Sequence, residues 1–360
     1  MPKVLLTGGS GFIAAHVLAL LLERGHDVVT TVRSEEKADK IRAAYPNAKL
    51  TVVIVPDIAQ PGAFDEVMQT PGLEYVQHTA SPFHYNFTDP KTELLDPAIK
   101  GTTSALEAVQ KYAPTVKRVV ITSSFAAILK SDELENMDKT WSEADWNPNT
   151  YGKCSGLSDT RIRFPSRDRQ DGVNGPPAVS YRVSKTLAEK AAWDFKKDKN
   201  PNFDVATINP PLVFGPVVHH LNSLSNINTS NERIVHCITG KWKADNQIPA
   251  TGVHFFVDVR DVAKAHVEAM ERPEAGGNRF FTTGGYVSNR EFVPLVRKEF
   301  PQLADKLPDE SVKGGDYPNG KKEGTYKYDN SKATKQLGIE WISLEKSVVD
   351  TVKSLLEIGV

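Results

Sequence analysis

The chain has 360 residues with 44 lysines and arginines against 45 aspartates and glutamates, enough length to bury a large core in one big domain or two moderate ones. A formal net charge of −1 with interspersed signs argues against a nucleic-acid partner or a membrane surface, both of which demand basic patches. The two cysteines, Cys154 and Cys237, stand far apart outside any Cys-x-x-Cys pattern, so neither a disulfide framework nor a metal site is expected.

Val4, Leu5 and Leu6 form an apolar run that ends in Thr7 and Gly8-Gly9-Ser10-Gly11, as a buried strand feeding a tight turn does. A helix follows, with Phe12, Ile13, Val17, Leu18, Leu21 and Leu22 on its apolar face and Gly25 as its stop signal. Strand, glycine turn and helix in this order build a phosphate site. Gly8 permits the turn, Gly11 lets backbone approach a pyrophosphate, Ala14 is the third small position, and the helix start at Phe12 and Ile13 turns free N–H groups and a positive dipole end to the anion. The apolar stretch 12–22 is broken by His16 and is too short to cross a bilayer, and a strand already occupies the place of a leader's basic region; a cytoplasmic protein is expected.

Residues 27–32 read as a second strand and 34–44 as a helix capped by Ser34. A third strand, 50–55, is almost continuously apolar, as a sheet covered on both faces requires, and it ends at Pro56-Asp57. Residues 75–79 form a fourth strand, 97–112 a helix, and 118–122 a fifth strand that runs into Ser123-Ser124. This alternation predicts an α/β Rossmann-type doubly wound parallel sheet, whose ligands bind beyond the strand C-termini. The pattern lapses between 130 and 179, where residues 155–177 have the Arg, Gly and Pro content of a solvated loop. A helix then runs from 180 to about 197, and a sixth strand, 203–208, ends in Asn209-Pro210-Pro211. Strands at 254–257 and 279–282 and helices at 259–270, 289–299, 331–337 and 344–357 complete the chain. The expected organisation is a nucleotide-binding Rossmann domain over 1–210, with later segments such as 254–270 packing back on it, and a smaller, mostly substrate-binding lobe over 211–360.

The residue ending the second strand reads the adenosine ribose, an acid for a free 2′-hydroxyl and a cation for a 2′-phosphate. Here that end carries Arg33, with Lys37 one helical turn on, and no acid before Glu35. A guanidinium fork and a point charge suit a phosphate, so NADPH is the expected cofactor.

Protonating the alkoxide that forms in carbonyl reduction needs a donor such as tyrosine, with a nearby cation to lower its pKa from about 10. Tyr-x-x-x-Lys on a helix puts both side chains on one face. The chain contains this pattern at Tyr45/Lys49, Tyr181/Lys185, Tyr317/Lys321 and Tyr328/Lys332. Prolines disrupt the first and third pairs, and a capping cluster at Asp329, Asn330 and Ser331 splits the fourth, leaving Tyr181/Lys185 inside a long helical run. Bringing a tyrosine from about 10 to about 7 takes roughly 4 kcal/mol, within reach of one lysine in a partly dry site. A serine hydroxyl at the Thr122-Ser123-Ser124 strand end supplies a second donor to the substrate oxygen.

With these residues in order, the chain resembles the extended short-chain dehydrogenase/reductases, and among them the fungal and yeast NADPH-dependent carbonyl (methylglyoxal and ketone) reductases and the plant dihydroflavonol reductases. The stretches that carry the likeness include Thr7-Gly8-Gly9-Ser10-Gly11-Phe12-Ile13-Ala14, Val55-Pro56-Asp57-Ile58, His78-Thr79-Ala80-Ser81-Pro82-Phe83 and Val257-Asp258-Val259-Arg260-Asp261-Val262. The resemblance implies that Ser124, not Ser123, is the catalytic serine beside Tyr181 and Lys185. It further implies that Asp57 and Ile58 flank adenine, that Thr79, Ala80, Ser81, Thr122 and Ser123 line the cofactor cleft, that Pro210 and Val213 meet the nicotinamide, and that Thr229-Ser230 lie near the phosphates. Phe83, Phe125, Leu129, Ala178 and Leu212 fall where relatives line the substrate pocket. Two features depart from the pattern: the long Ser124-to-Tyr181 separation, and Arg182 in place of a small residue.

The leading expectation is NADPH-linked reduction of small aldehydes or ketones by a monomer or homodimer, with Tyr181 as acid, Ser124 orienting and Lys185 tuning. The alternatives are a nucleotide-sugar epimerase or dehydratase, which holds NAD tightly and is disfavoured by Arg33, and an NADPH-sensing regulator without turnover, which has no need of Tyr181 and Lys185.

Overall fold

The computed structural model describes residues 1–81, 89, 91–130, 133–148, 176–218 and 227–360, with backbone alone at 176–178. Among these the strands are β1 (Lys3–Thr7), β2 (Asp27–Val32), β3 (Leu50–Ile54), β4 (Leu73–His78), β5 (Arg118–Thr122), β6 (Thr140–Trp141), β7 (Asp204–Asn209), β8 (Leu212–Phe214), β9 (Phe255–Asp258), β10 (Arg279–Phe281), β11 (Gly285–Tyr286) and β12 (Lys327–Tyr328). The α-helices are α1 (Phe12–Glu23), α2 (Glu35–Ala44), α3 (Asp65–Met68), α4 (Asp96–Tyr112), α5 (Pro176–Lys199), α6 (Thr229–Ile238), α7 (Lys241–Ala244), α8 (Val259–Glu271), α9 (Asn289–Glu299), α10 (Ser331–Leu337) and α11 (Leu344–Glu357).

A seven-stranded sheet in the order β10-β7-β5-β4-β1-β2-β3 has every neighbouring pair parallel. This is the expected doubly wound arrangement. Strand order reverses between β1 and β4, which opens a crevice at their C-terminal ends. Alternation along each strand supplies both faces: Val4 and Leu6 pack with α1, α2 and α8, whereas Leu5 packs with α3, α4 and α5. Burial on both sides explains the apolar runs of β1 and β5, whereas β3, expected to be covered on both faces, is an edge strand with Thr51 exposed and its other residues half-buried. The α8 face belongs to the same core as α1, through Val262 and Ala265 against Val17 and Leu21.

A three-stranded sheet, β11-β9-β8, sits beside a second core that α6, α9 and α11 fill with Ile234, Cys237, Phe292, Val296, Val348 and Val352. Four elements here escaped the sequence reading: β8, β11 and α7 because each is at most four residues long, and α6 because it offers few apolar residues. The expected loop end at 176–177 is also corrected: Pro176 and Pro177 open α5, where the missing N–H groups go unneeded in a first helical turn. The rest of that loop, 155–175, lies outside the described residues. Ser34 occupies the N-cap of α2 but makes no side-chain cap bond. Among the described residues no helix is long and apolar enough to cross a membrane, and no group of His, Cys, Asp or Glu could hold a metal ion.

Asp258 caps α8, accepting from the Arg260 backbone N–H at 2.9 Å and from Arg260 Nε at 2.8 Å. Three residues on, Asp261 is 3% exposed and accepts the Ile342 N–H at 2.9 Å, pinning the segment between α10 and α11 to α8. Burial, with Asp258 close by, pushes the Asp261 carboxyl up to about 7 from 3.8. Because the folded-state value is raised, the stabilisation is complete below the unfolded value and is lost as pH climbs through the folded one. Asp261→Asn keeps the acceptor and cannot ionise. It is expected to gain about 2 kcal/mol on the wild type between about pH 5 and about pH 8, measured by urea unfolding; a difference that stays constant with pH contradicts this.

Candidate active site

The crevice is a cleft of about 780 Å³ at the C-terminal ends of the strands. The turn after β1 closes one end. Gly8 has φ +74°, its N–H donates to Thr31 Oγ1 at 3.1 Å, and a Cβ there would lie 3.1 Å from Ala80. Gly9 is the residue the sequence reading passed over: its N–H donates to the Thr31 carbonyl at 2.9 Å, and a Cβ on it would meet Thr30 Oγ1 at 2.1 Å. Gly11 N-caps α1 with no side chain in the way, and Phe12 and Ile13 begin the helix at the cleft wall. The turn is therefore a cradle that side chains would fill, with the N-terminus of a twelve-residue helix aimed at it.

Arg33 and Lys37 stand on the rim beside this turn. Neither makes an ion pair with a described residue. Burial lowers the Lys37 pKa and the Arg33 charge lowers it further, as expected of two cations sharing one rim. Across from them, Asp57 is held below the usual carboxylate range by hydrogen bonds from Gln60 Nε2 and the Ala59 N–H, and Ile58 lies beside it on the cleft.

Along the floor, Thr79 donates its hydroxyl to the Thr7 carbonyl, and the Ala80 N–H donates to Thr7 Oγ1 at 3.1 Å. Thr7 in turn has its proton for His78 Nδ1, 3.0 Å away; burial and the Lys185 charge pull His78 down to about 4, so this imidazole is neutral. Thr122 Oγ1 lies 2.9 Å from His266 Nε2, and His266 Nδ1 lies 2.9 Å from Gln77 Oε1. An amide oxygen only accepts, so His266 carries its proton on Nδ1 and Thr122 donates to Nε2. These bonds fix the ends of β1, β4 and β5 against one another.

At the other end, Ser124 Oγ accepts from the Ala126 N–H at 3.1 Å, which leaves the hydroxyl proton for another acceptor. Ser123 differs, since its hydroxyl donates to the buried Glu189 at 2.5 Å and it meets the cleft as part of the strand end. Tyr181 and Lys185 both reach the cleft from α5. Lys185 Nζ donates to Ser81 Oγ at 3.1 Å; burial pulls its pKa down to about 8, with Glu189 opposing. The three other Tyr-x-x-x-Lys pairs lie elsewhere. Tyr45 follows the end of α2, Tyr317 donates to Glu291 Oε2 at 2.6 Å, and Tyr328 sits in β12 ahead of Lys332 in α10.

Pro210, Leu212 and Val213 line the same end, and Ser230 Oγ holds β8 by accepting the Val213 N–H at 3.1 Å. Phe125 and Leu129 are almost wholly buried behind it; the Phe125 ring stacks on Phe281 with centroids 5.0 Å apart and meets Trp141 and Phe255 edge-on. Phe83 and the Ala178 side chain lie outside the described residues. Arg182, noted in the sequence only as a departure, is 7% exposed and lines this end, as do Asn228 and Arg233, to which the sequence reading gave no role. Arg233 was legible in principle, because it falls on the buried stripe of α6 next to Ile234 and Cys237.

Cleft and fold together define a nucleotide-binding oxidoreductase scaffold. The model of the NAD dependent epimerase/dehydratase family matches residues 4–282, and the chain belongs to that family of extended short-chain dehydrogenase/reductases. Ketoreductase azaE of Aspergillus niger is 44% identical over 359 residues, which covers 99% of this chain and 98% of that one. NADPH-dependent methylglyoxal reductase GRE2 of Saccharomyces cerevisiae is 33% identical over 363 residues, covering 99% and 98%. The crystal structure of Gre2 from Candida albicans with NADPH superposes with a TM-score of 0.84 at 35% identity over 100% of each chain. The expected kinship with fungal carbonyl reductases is borne out by these relatives.

The turn also yields a stability test. Gly9→Ala is expected to cost about 1–3 kcal/mol by overpacking against Thr30. In a Thr30→Ala background, which removes the clashing oxygen, the cost should shrink by more than half, as read by urea unfolding. An equal cost in both backgrounds contradicts the contact.

Proposed function

We propose that this chain is an NADPH-dependent carbonyl reductase that converts small aldehydes or ketones to alcohols. The observation that carries the reading is that one cleft joins the glycine turn and its cationic rim to Ser124, Tyr181 and Lys185. The names of the relatives, ketoreductase and NADPH-dependent methylglyoxal reductase, support reduction over epimerisation or cofactor sensing.

The residues fit the cofactor. Gly8, Gly9 and Gly11 with the start of α1 would hold the pyrophosphate, Arg33 and Lys37 the 2′-phosphate, Asp57 and Ile58 the adenine, and Thr79 to Ser81, Thr122, Ser123, Pro210, Val213 and Ser230 the rest of its length. Bound there, NADPH supplies a hydride to the carbonyl carbon. Tyr181 gives its phenolic proton to the carbonyl oxygen as negative charge develops on it. Ser124 donates a second hydrogen bond to the same oxygen, and because its Oγ is already held by the Ala126 N–H it arrives preorganised. Lys185, charged at neutral pH, stabilises the phenolate that Tyr181 leaves. Phe125, Leu129 and Leu212, with Phe83 and Ala178 expected beside them, would shape the substrate end and keep water from it. A cytoplasmic monomer or homodimer completes this reading.

Tyr181→Phe is expected to lower kcat by about 10²–10⁴-fold for any ketone the wild type reduces, with NADPH affinity, read by fluorescence titration, within about threefold. Undiminished kcat in this variant would falsify the assignment.

A further inference from the structure

Glu189 lies on α5 one turn beyond Lys185 and is 1% exposed. Its carboxylate gathers donors from several elements: Ser123 Oγ at 2.5 Å from the end of β5, Asn209 Nδ2 at 2.7 Å and Thr207 Oγ1 at 3.0 Å from β7, and Arg279 Nε at 2.6 Å from β10. Arg279 is itself anchored, stacked 3.6 Å from the Trp146 ring centroid and donating through Nη1 to the Glu143 and Asp145 carbonyls. Asn209 Nδ2 also reaches the Ser124 carbonyl, at 3.3 Å. The strand end that presents Ser124 is thus tied on both sides of that residue to a carboxylate carried by the helix of Tyr181 and Lys185.

Behind Lys185 a small pocket of about 20 Å³ has Lys185 and Glu189 in its wall, together with His78, Thr102 and Ser123. That volume holds about one water and Glu189 is 1% exposed, so little solvent lies between the ammonium and the carboxylate. Among the described residues, the ionisable groups facing Lys185 are His78 from β4, which is neutral, and Tyr181 and Glu189 on its own helix; α4 presents Thr102, and Arg279 stands on the far side of Glu189.

Resting on the reading of Ser124, Tyr181 and Lys185 given above, we propose that Glu189 is a positioning residue: it clamps the Ser124 strand end to the helix of Tyr181 and Lys185, and its charge holds Lys185 as a cation. A purely structural carboxylate would matter for folding and leave the Lys185 titration where it was. Two variants of the full chain separate these roles. Glu189→Gln removes the charge, whereas Glu189→Asp keeps the charge on an arm too short to reach every donor.

The titration of Lys185 is read directly, by competitive labelling with isotopic acetic anhydride across about pH 6 to about pH 10 and peptide mass spectrometry, beside kcat with an aryl ketone. In Glu189→Gln the Lys185 midpoint is expected to fall by about one pH unit and kcat by at least about tenfold. Glu189→Asp should hold the midpoint near the wild-type value while kcat still falls about tenfold. A folded Glu189→Gln with the wild-type midpoint, or an equal shift in both variants, overturns the proposal. Should Glu189→Gln not fold, Glu189→Asp decides by itself, and wild-type kcat in it overturns the clamp. Absence of turnover by the wild-type chain with every ketone tried would count against the reductase reading instead, and the Lys185 titration would still test the charge effect.

Discussion

The approach of the turn after β1 to its neighbours on both sides is the constraint from which the rest of the site follows. Gly8, with φ +74°, sits tightly against Ala80 beyond β4, and Gly9 sits against Thr30 in β2 at a separation that leaves no room for a side chain. This closeness comes from the parallel sheet, which places β1 between β4 and β2 and brings all their ends to one edge. With the turn held there, α1 starts at the crevice and its unpaired N–H groups have a single direction in which to point. On the proposed reading, backbone would supply most of the phosphate end of the cleft, with Arg33 and Lys37 added at the rim.

The reactive end depends on a second convergence, of β5, β7 and α5. The Ser123 N–H bonds to the Ile208 carbonyl and the Phe125 N–H to the Pro210 carbonyl, both at 2.8 Å, so Ser124 is held between two backbone bonds. Opposite, α5 presents Tyr181 and Lys185 at the spacing of one turn. Burial works against a charged Lys185, and a buried carboxylate one turn farther along offsets that penalty. Glu189 is also ion-paired with Arg279, so the buried carboxylate stands between two cations. An extended aromatic layer, Phe125, Trp141, Phe255, Phe281 and Tyr326, backs the same end and keeps it dry.

Much of this was legible in the sequence because local chemistry and global fold agree there. Buried parallel strands announce themselves as unbroken apolar runs, a glycine turn has few other uses between a strand and a helix, and prolines and caps were enough to reject three of the four Tyr-x-x-x-Lys pairs. What escaped reading was long-range. Gly9 carries no local signal of its own, because the contact that requires it is with Thr30 of the neighbouring strand. Glu189 drew no role from the sequence, since its partners Thr207, Asn209 and Arg279 come from strands far along the chain. The elements β8 and α6 were missed for a different reason, although Leu212, Val213 and Thr229-Ser230 within them had been named from the resemblance: β8 is three residues long and α6 shows only a narrow apolar stripe, so tertiary packing, not local pattern, defines them. Arg182 was flagged by its oddity, and only the fold places it inside the cleft.

Hydride transfer from the cofactor to a carbonyl carbon beside Tyr181 is the central claim, and isotope tracing tests it most directly. With NADPH carrying deuterium at both C4 positions of the nicotinamide and an aryl ketone or short dicarbonyl as acceptor, mass spectrometry of the alcohol should find one deuterium, bonded to the carbinol carbon. Alcohol without deuterium, or no alcohol from a broad panel of aldehydes and ketones, would contradict it.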